Sequence, residues 1–404
     1  MNILLLGSKG GEHAMARELA RAGHTLYCLP GNPGLQQLAH PLSPDTDPIQ
    51  FARKEGVELT IASSERLLAG GIADRFREAG LRLFGPQARS ARIGSSRLVA
   101  KQFMLRHEIP TSRFVLCRLP GEVIQAAESF NWQVAIKSLI HDQITLCSSR
   151  KEVESAIGGE LLVEERLWGD ELSLSFFCDG EQWAAMPPIV DQKLLCDGGS
   201  GLQTGGMGAW VPEDVPYHEQ IEQQIIEPTR KGLVGYRGIL SLVIMITADG
   251  PKLLEYRCQC GDPEAQTLFP LFYGDLAETF VAAADGHLSR AFPQWKADHS
   301  CTVVLSTHNS ALGGEVRGLQ LLDGLDSIFA YQGATRLERG RVVTAGGRVL
   351  SVTGVAPTLA QAVERAYQGA GVIHFPGKFH RTDIGSNCQL GERLHLGSRY
   401  SQSR

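Results

Sequence analysis

The sequence predicts a multidomain α/β protein, with a Rossmann-like N-terminal domain, a strand-rich centre and a smaller α+β C-terminal domain. Three observations lead to that class. Short apolar runs alternate with helical patterns through about the first 90 residues, as in a parallel sheet with crossover helices. Further apolar runs, separated by Gly-rich and acidic stretches, continue to about residue 300, where a shorter mixture of strands and one helix takes over. A chain of 404 residues also exceeds what one core fills, so about two to four domains are expected.

Residues 2–6 form the first apolar run, typical of a buried parallel strand. Gly7-Ser8-Lys9-Gly10-Gly11 follows, then a helical pattern over 12–22. The run 25–29 ends in Pro30-Gly31-Asn32-Pro33-Gly34, a strong turn signal. Strands are expected at 59–62 and 81–84, each behind a helix-like stretch. Residues 90–107 read as one helix, closed by Ile109-Pro110-Thr111. Strands follow at 134–138, 161–165, 172–177, 238–246 and 252–256, and the Gly-rich segment 198–208 is expected to be loop. The last part holds strands at 303–306, 342–344 and 348–353 and a helix at 359–367. The polar end, 398–404, is expected to fray.

Hydrophobic residues make up 43% and charged residues 21%, which is ordinary for a soluble globular chain. A net charge of −5 argues against a general nucleic-acid binder, which carries a basic surface. Small anionic ligands remain compatible, because local charge decides. The nine cysteines form no paired framework, and Cys258 and Cys260 give C-x-C rather than C-x-x-C. Free thiols in a reducing cytosol are expected. The N-terminal apolar run is too short for a signal peptide or membrane span, and no long apolar run follows, so a cytoplasmic protein is expected.

Several motifs can carry chemistry, each with a plainer alternative. The backbone amides of 7–11 can hold a phosphate at a helix N-terminus, or form only a tight turn. Gln203-Thr204-Gly205-Gly206-Met207-Gly208 lets backbone approach a ligand closely, or is a linker. Glu255 at a strand end, followed by Gly261-Asp262-Pro263-Glu264, suggests a Mg²⁺ or amine site, or a solvated strand end. Lys137 beside an apolar run can reach an anion, or snorkel. Residues 162–165 with Gly169-Asp170-Glu171 place a hinge near two carboxylates, or form a strand, a turn and a strand.

The order of these pieces is more specific than any one of them. Pro30–Gly34, Phe84-Gly85-Pro86, the Arg97/Lys101 helix, Lys137, Glu164-Glu165-Arg166-Leu167 and Glu171 come first. Asp191-Gln192-Lys193, Thr204-Gly205-Gly206-Met207-Gly208-Ala209, Glu255 and Gly261-Asp262-Pro263-Glu264 follow. Gly346-Gly347-Arg348-Val349-Leu350 and Arg381-x-Asp383-Ile384-Gly385 complete the series. From about residue 1 to about 386 the chain resembles the glycinamide ribonucleotide synthetase family of the ATP-grasp superfamily.

The resemblance implies a Rossmann-like domain at 1–95, a linking helix at 96–112 and an ATP-grasp lid at 113–178. It also implies a central ATP-grasp domain at 179–300, a C-terminal domain at 301–386 and a tail at 387–404. The implied reaction activates the glycine carboxylate with ATP and Mg²⁺, and the amine of phosphoribosylamine attacks the acyl phosphate. Activation is needed because a carboxylate oxygen is a poor leaving group. In the implied site, Arg97 and Lys137 contact ATP phosphates, Glu164, Glu165 and Leu167 lie along the adenine hinge, and Glu171 faces the ribose. Glu255 ligates the metal. Asp191, the loop Thr204, Gly205, Gly206, Met207 and Gly208, and Asp262 border the glycine and phosphoribosylamine sites, with Lys137 and Asp262 as catalytic candidates. Gly31, Asn32 and Arg348 hold the ribosyl phosphate. The implied partners are an amino acid and a phosphorylated amine, without nucleic acid or membrane, on a monomer or homodimer.

The chain departs from the family pattern where that chemistry sits. The Gly-rich segment over the ATP phosphates is replaced by Lys137-Ser138-Leu139-Ile140-His141-Asp142-Gln143-Ile144, without glycine or a second lysine. Glu-Phe-Asn, with two metal ligands, is replaced by Glu255-Tyr256-Arg257, and arginine has donors only. The family's nearby arginine is Gln259 here. Gly11 stands for an arginine, Ser63-Ser64 for Gly-Pro, and Leu194 for another arginine. Two functional classes are therefore open. One is a ligase of this family, with the same or a changed amine or acid. The other is a non-catalytic paralogue that binds a nucleotide or partner.

Overall fold

The first apolar run forms a strand because all its central side chains can be buried on both faces. β1 (Asn2–Gly7) lies at the centre of a parallel sheet with β2 (Thr25–Pro30), β3 (His40–Pro41), β4 (Leu59–Ala62) and β5 (Leu83–Phe84), in the order β3-β2-β1-β4-β5. The structure is a computed structural model and describes residues 1–386 except 141 and 142. The expected tail, 387–404, lies outside the described residues, as do His141 and Asp142 of the altered phosphate segment. Helix Gly10–Arg21 begins two residues earlier than its apolar pattern, because Glu12 accepts from the Lys9 amide at 2.8 Å and anchors the first turn.

The single helix expected over 90–107 is two helices, Ala88–Ser95 and Arg97–Arg106. Ser96 is extended between them (φ −129°, ψ 105°), and its hydroxyl accepts from the Val99 amide at 3.4 Å. Serine competes for backbone partners in this way and caps a new helix rather than continuing the old one.

A separate antiparallel sheet follows, made of β6 (Phe114–Cys117), β7 (Val134–Ser138), β8 (Ile144–Cys147) and β9 (Leu161–Glu165) in the order β6-β9-β7-β8. Helices Pro120–Ser129 and Arg150–Ala156 close a small core of their own over it, with Cys117, Val123, Val134, Val153 and Val163 buried. This is the lid.

The next strands are β10 (Asp170–Asp179), β11 (Trp183–Ala185), β12 (Ile189–Cys196), β13 (Ser200–Trp210), β14 (Arg237–Thr247) and β15 (Gly250–Arg257). The short β16 (Phe272–Tyr273) and β17 (Gln294–Trp295) pair with each other. β18 (His299–Ser306), β19 (Ile328–Gln332), the hairpin β20 (Thr335–Glu338) and β21 (Arg341–Thr344), and β22 (Arg348–Ala356) complete the set. One sheet runs β15-β14-β10-β12-β13-β18-β22-β19, with β11 on β10, so strands from both sides of residue 300 are hydrogen-bonded in one piece. Helix Leu359–Val372 covers its C-terminal end.

The segment 198–208 is not the loop expected from its glycines. It is most of β13, paired to β12 on one side and β18 on the other. Pairing with β12, joined by β18 only from Gly208 onward, outweighs the poor strand propensity of glycine. The pairing with β12 shifts register between Gln192 and Cys196, which bends the strand.

The N-terminal domain is stitched to the C-terminal strands. Asn32 Nδ2 donates to the carbonyls of Ser8 (2.8 Å) and Gln332 (2.7 Å), while its Oδ1 accepts from the amides of Gly34 and Leu35. His13 Nδ1 accepts from the Gln332 amide at 2.9 Å, and burial pushes the His13 pKa down to about 4. Among the described residues no helix is long and apolar enough to cross a membrane.

Candidate active site

Lys137 on β7 and Glu164 on β9 share a face of the lid sheet, and Lys101 reaches the same carboxylate from helix Arg97–Arg106. Lys101 Nζ lies 2.9 Å from Glu164 Oε2 and Lys137 Nζ 3.0 Å from Oε1. Ser112 Oγ donates to Oε2 at 2.5 Å. Burial works to raise the Glu164 pKa, but Lys137, Lys101 and Ser112 together hold it below the usual value. Burial also pushes Lys101 down to about 8, against the pull of Glu164. Glu165 is engaged too: it accepts from the Arg113 amide and Nε, with Lys252 at 3.9 Å. Leu167 is half-buried in the turn to β10, where the Arg166 guanidinium stacks 4.0 Å over Trp168.

A second cluster lies on the long sheet. Glu171 on β10 stands opposite Asp191 on β12, and Lys193, two residues along β12, bonds Glu171 and approaches Asp191 at 4.0 Å. Burial opposes a charged Lys193, yet Glu171 keeps its pKa raised. Neither Asp191 oxygen has a hydrogen-bond donor, although the residue is buried. Burial first, then Glu264, pushes its pKa well above the carboxylate range.

At the end of β15, Arg257 bonds two carboxylates. Its Nη2 and Nε donate to Glu255 Oε1 at 2.7 and 3.0 Å, and its Nη1 donates to Glu264 Oε1 at 3.0 Å. Burial alone would raise the Glu255 pKa; Arg257, then Lys193 and Lys137, hold it far below the usual range.

The third cluster gathers around Arg348 at the start of β22. Its Nη1 donates to the Asp262 carbonyl, to Asp262 Oδ1 (3.1 Å) and to the Gly206 carbonyl (3.4 Å). Gly206 has φ +128°, and a Cβ there would meet Pro263 Cδ at 2.5 Å and Asp191 Oδ1 at 3.0 Å. Only glycine allows β13 to pass so close to both. Thr204 Oγ1 donates to the Lys193 carbonyl and accepts from the Gly206 amide, which fixes the bend. Met207 is buried under Ser306, and Gly208 is pressed against Ile384.

The structure thus brings Arg97, Gly205, Glu255, Asp262 and Arg348 onto one cavity of about 700 Å³, with Lys9, Glu12 and Arg257 also in its wall. Lys137, Glu164 and Asp191 are not in that wall. Gly31 and Asn32 are not in it either, and the Asn32 side chain is fully occupied in joining β19 to the N-terminal turn. Arg97 Nη1 donates to the Ser138 carbonyl, so it ties the altered segment after β7 to the helix below. Leu139 and Ile140 of that segment line the cavity.

Some departures are absorbed locally. Ser63 Oγ donates to Glu12 Oε1 at 2.5 Å, Ser64 caps helix Glu65–Ala69, and the Leu194 carbonyl accepts from the buried Arg381. Sequence reasoning assigns no individual role to Lys101 or Lys193, and names Glu264 only within the acidic stretch that, with Glu255, suggests a Mg²⁺ or amine site. The one signal for Lys101 is its place between Ala100 and Met104 on an otherwise apolar helix face.

Family models match most of the chain: phosphoribosylglycinamide synthetase N domain over 1–94, its ATP-grasp (A) domain over 95–265 and its C domain over 307–387. A phosphoribosylamine–glycine ligase from Brucella melitensis is 35% identical, over 95% of this chain and 97% of that protein. The human trifunctional purine biosynthetic protein adenosine-3 is 34% identical over 95% of this chain and 41% of its own length. The crystal structure of phosphoribosylamine–glycine ligase from Thermotoga maritima superposes with a TM-score of 0.75 at 27% identity, covering 95% of this chain and all of that one. Fold and relatives together define an ATP-grasp ligase. The chain belongs to the phosphoribosylglycinamide synthetase family.

ATP-grasp enzymes generally use ATP with Mg²⁺. Here the donor set does not fit that ion. Mg²⁺ demands several oxygen ligands in near-octahedral array, but one oxygen each of Glu255 and Glu264 already accepts from the Arg257 guanidinium, whose positive charge lies between the two carboxylates. Among the described residues no group of three or more His, Cys, Asp or Glu side chains could hold a metal ion.

Proposed function

We propose that the chain joins an amino-acid carboxylate to the amine of a phosphoribosylamine at the expense of ATP, the activity that its relatives' name describes. The observation that carries this reading is Asp191. A buried carboxylate with two oxygens that accept no hydrogen bond, pressed against Gly206 and with Lys193 no nearer than 4.0 Å, is incomplete without a donor. The ammonium group of an amino acid would supply donors to both oxygens and restore the charge.

In this reading Lys137 and Arg97 meet the nucleotide phosphates, and Lys101 and Glu164 set the Lys137 ammonium in place. Glu165 and Leu167 border the base, and Glu171 the ribose. Arg348, held by Asp262, meets the phosphate of the amine substrate. Asp262 borders the attacking amine, and the Thr204–Gly208 strand brings backbone against both substrates. A cytoplasmic location goes with this chemistry.

The test is ADP release with phosphoribosylamine and glycine, each omitted in turn and assayed with and without Mg²⁺. ADP should form only with both present, and Asp191→Asn should raise the amino-acid KM at least about tenfold while nucleotide binding persists. ADP formation that ignores the amino acid would overturn the reading. Arg257 favours a second reading, a nucleotide-binding relative without turnover. Nucleotide binding without ADP formation would support that one.

A further inference from the structure

The pair Glu255 and Glu264 is a doubly negative patch beside the proposed nucleotide site, and a polyphosphate would be repelled by it unless a cation intervened. Arg257 intervenes. It is carried by the last position of β15, where it pairs with Ser241 of β14, so its backbone is fixed by the sheet. Its guanidinium bridges the two carboxylates through three hydrogen bonds and is only 20% exposed. A divalent ion bridging the two Oε1 atoms would have to break all three, and one held by the Oε2 atoms would lie beside a guanidinium of like charge. Arginine offers further N–H donors on Nη1 and Nη2 beyond those three, and a phosphate oxygen can accept from them. Arg257 and Arg97 both line the cavity that holds Glu255.

We propose that Arg257 is a built-in replacement for a divalent cation, so that this cleft binds the polyphosphate of its nucleotide without metal. The inference rests on the nucleotide-binding part of the proposed function and is independent of turnover. Arg97 then receives the phosphates, while Arg257 screens the two glutamates that would otherwise require Mg²⁺. No bond is made or broken by this substitution; it replaces one electrostatic partner with another.

The experiment measures ADP affinity by calorimetry in EDTA and in Mg²⁺, for the full chain and for Arg257→Asn. In parallel, Mn²⁺ binding to both proteins without nucleotide is read by electron paramagnetic resonance. The unaltered protein should bind ADP with a Kd that changes by less than about threefold between EDTA and Mg²⁺. Arg257→Asn should lose about tenfold or more in EDTA, recover in Mg²⁺, and gain one bound Mn²⁺ that the unaltered protein lacks. ADP bound about tenfold tighter in Mg²⁺ than in EDTA by the unaltered protein would overturn the proposal, as would a tight Mn²⁺ site in it. If ADP binds under neither condition, the nucleotide reading fails separately. The Mn²⁺ comparison then decides alone, and a variant that gains no Mn²⁺ sinks the replacement idea. Should the variant not fold, the metal dependence and Mn²⁺ binding of the unaltered protein still decide between the two outcomes.

Discussion

Two charge clusters in this molecule use the same groups in opposite proportion. On the lid, two ammonium groups, Lys101 and Lys137, converge on one carboxylate, Glu164. At the end of β15, one guanidinium converges on two carboxylates. The lid cluster keeps a spare positive charge and can receive an anion. The β15 cluster keeps a spare negative charge, and its cation is already committed. The two also differ in closure. The lid carboxylate has a serine hydroxyl at 2.5 Å as a further donor, whereas Ser173 reaches Glu264 only at 3.4 Å. The two clusters therefore differ by a simple count of cations per carboxylate.

The largest effect should come from removing the lid carboxylate. Glu164→Gln leaves two buried ammonium groups without their counter-charge and should destabilise the lid by about 3–5 kcal/mol. Hydrogen exchange of β6–β9 should accelerate while that of β1–β5 stays unchanged; unchanged lid exchange would mean that the cluster is solvated.

Next is pH. Lys101 has a folded-state pKa of about 8 against an ordinary value of 10.5, so the unfolded chain binds the proton more tightly. Stability should therefore rise with pH between those two values, by on the order of 3 kcal/mol from this group, and Lys101→Met should flatten the rise. Urea midpoints taken across that window check it.

The smallest effect compares the two serines. Ser112→Ala removes hydrogen bonds to both Glu164 and Lys101 and should cost about 1.5–3 kcal/mol. Ser173→Ala should cost less than about 0.5 kcal/mol, because its contact is long. Equal losses in thermal unfolding would erase the distinction between the clusters.

Much of the fold is legible from apolar runs. β4, β7 and β9 fall on the expected residues because three apolar side chains, consecutive in β7 and β9 and broken only by Thr60 in β4, leave few alternatives. β13 escapes because its glycines hide a hairpin with β12, which ends just before it, and because β18, which pairs with 208–210, lies far off in sequence. The break at Ser96 is a capping preference hidden inside a continuous helical pattern. At the site, the oddity of Arg257 is legible from its lack of acceptors, and Glu255 two positions earlier lies on the same strand face. The bridge to Glu264 is not legible, since it depends on how helix Glu264–Leu268 returns against β15. The Asn32 turn is conspicuous in sequence, yet its side chain serves a strand 300 residues away.

That last stitch bears on the order in which the molecule is made. Asn32 and His13 wait for Gln332, which is synthesised 300 and 319 residues later. At roughly 5–20 residues per second, about 15–60 s of translation separates the emergence of the Gly-rich turn from that of its clamp. During that interval the nascent N-terminal domain carries an asparagine amide that lacks one of its two acceptors and an uncovered histidine, and only the arrival of β19 completes its surface.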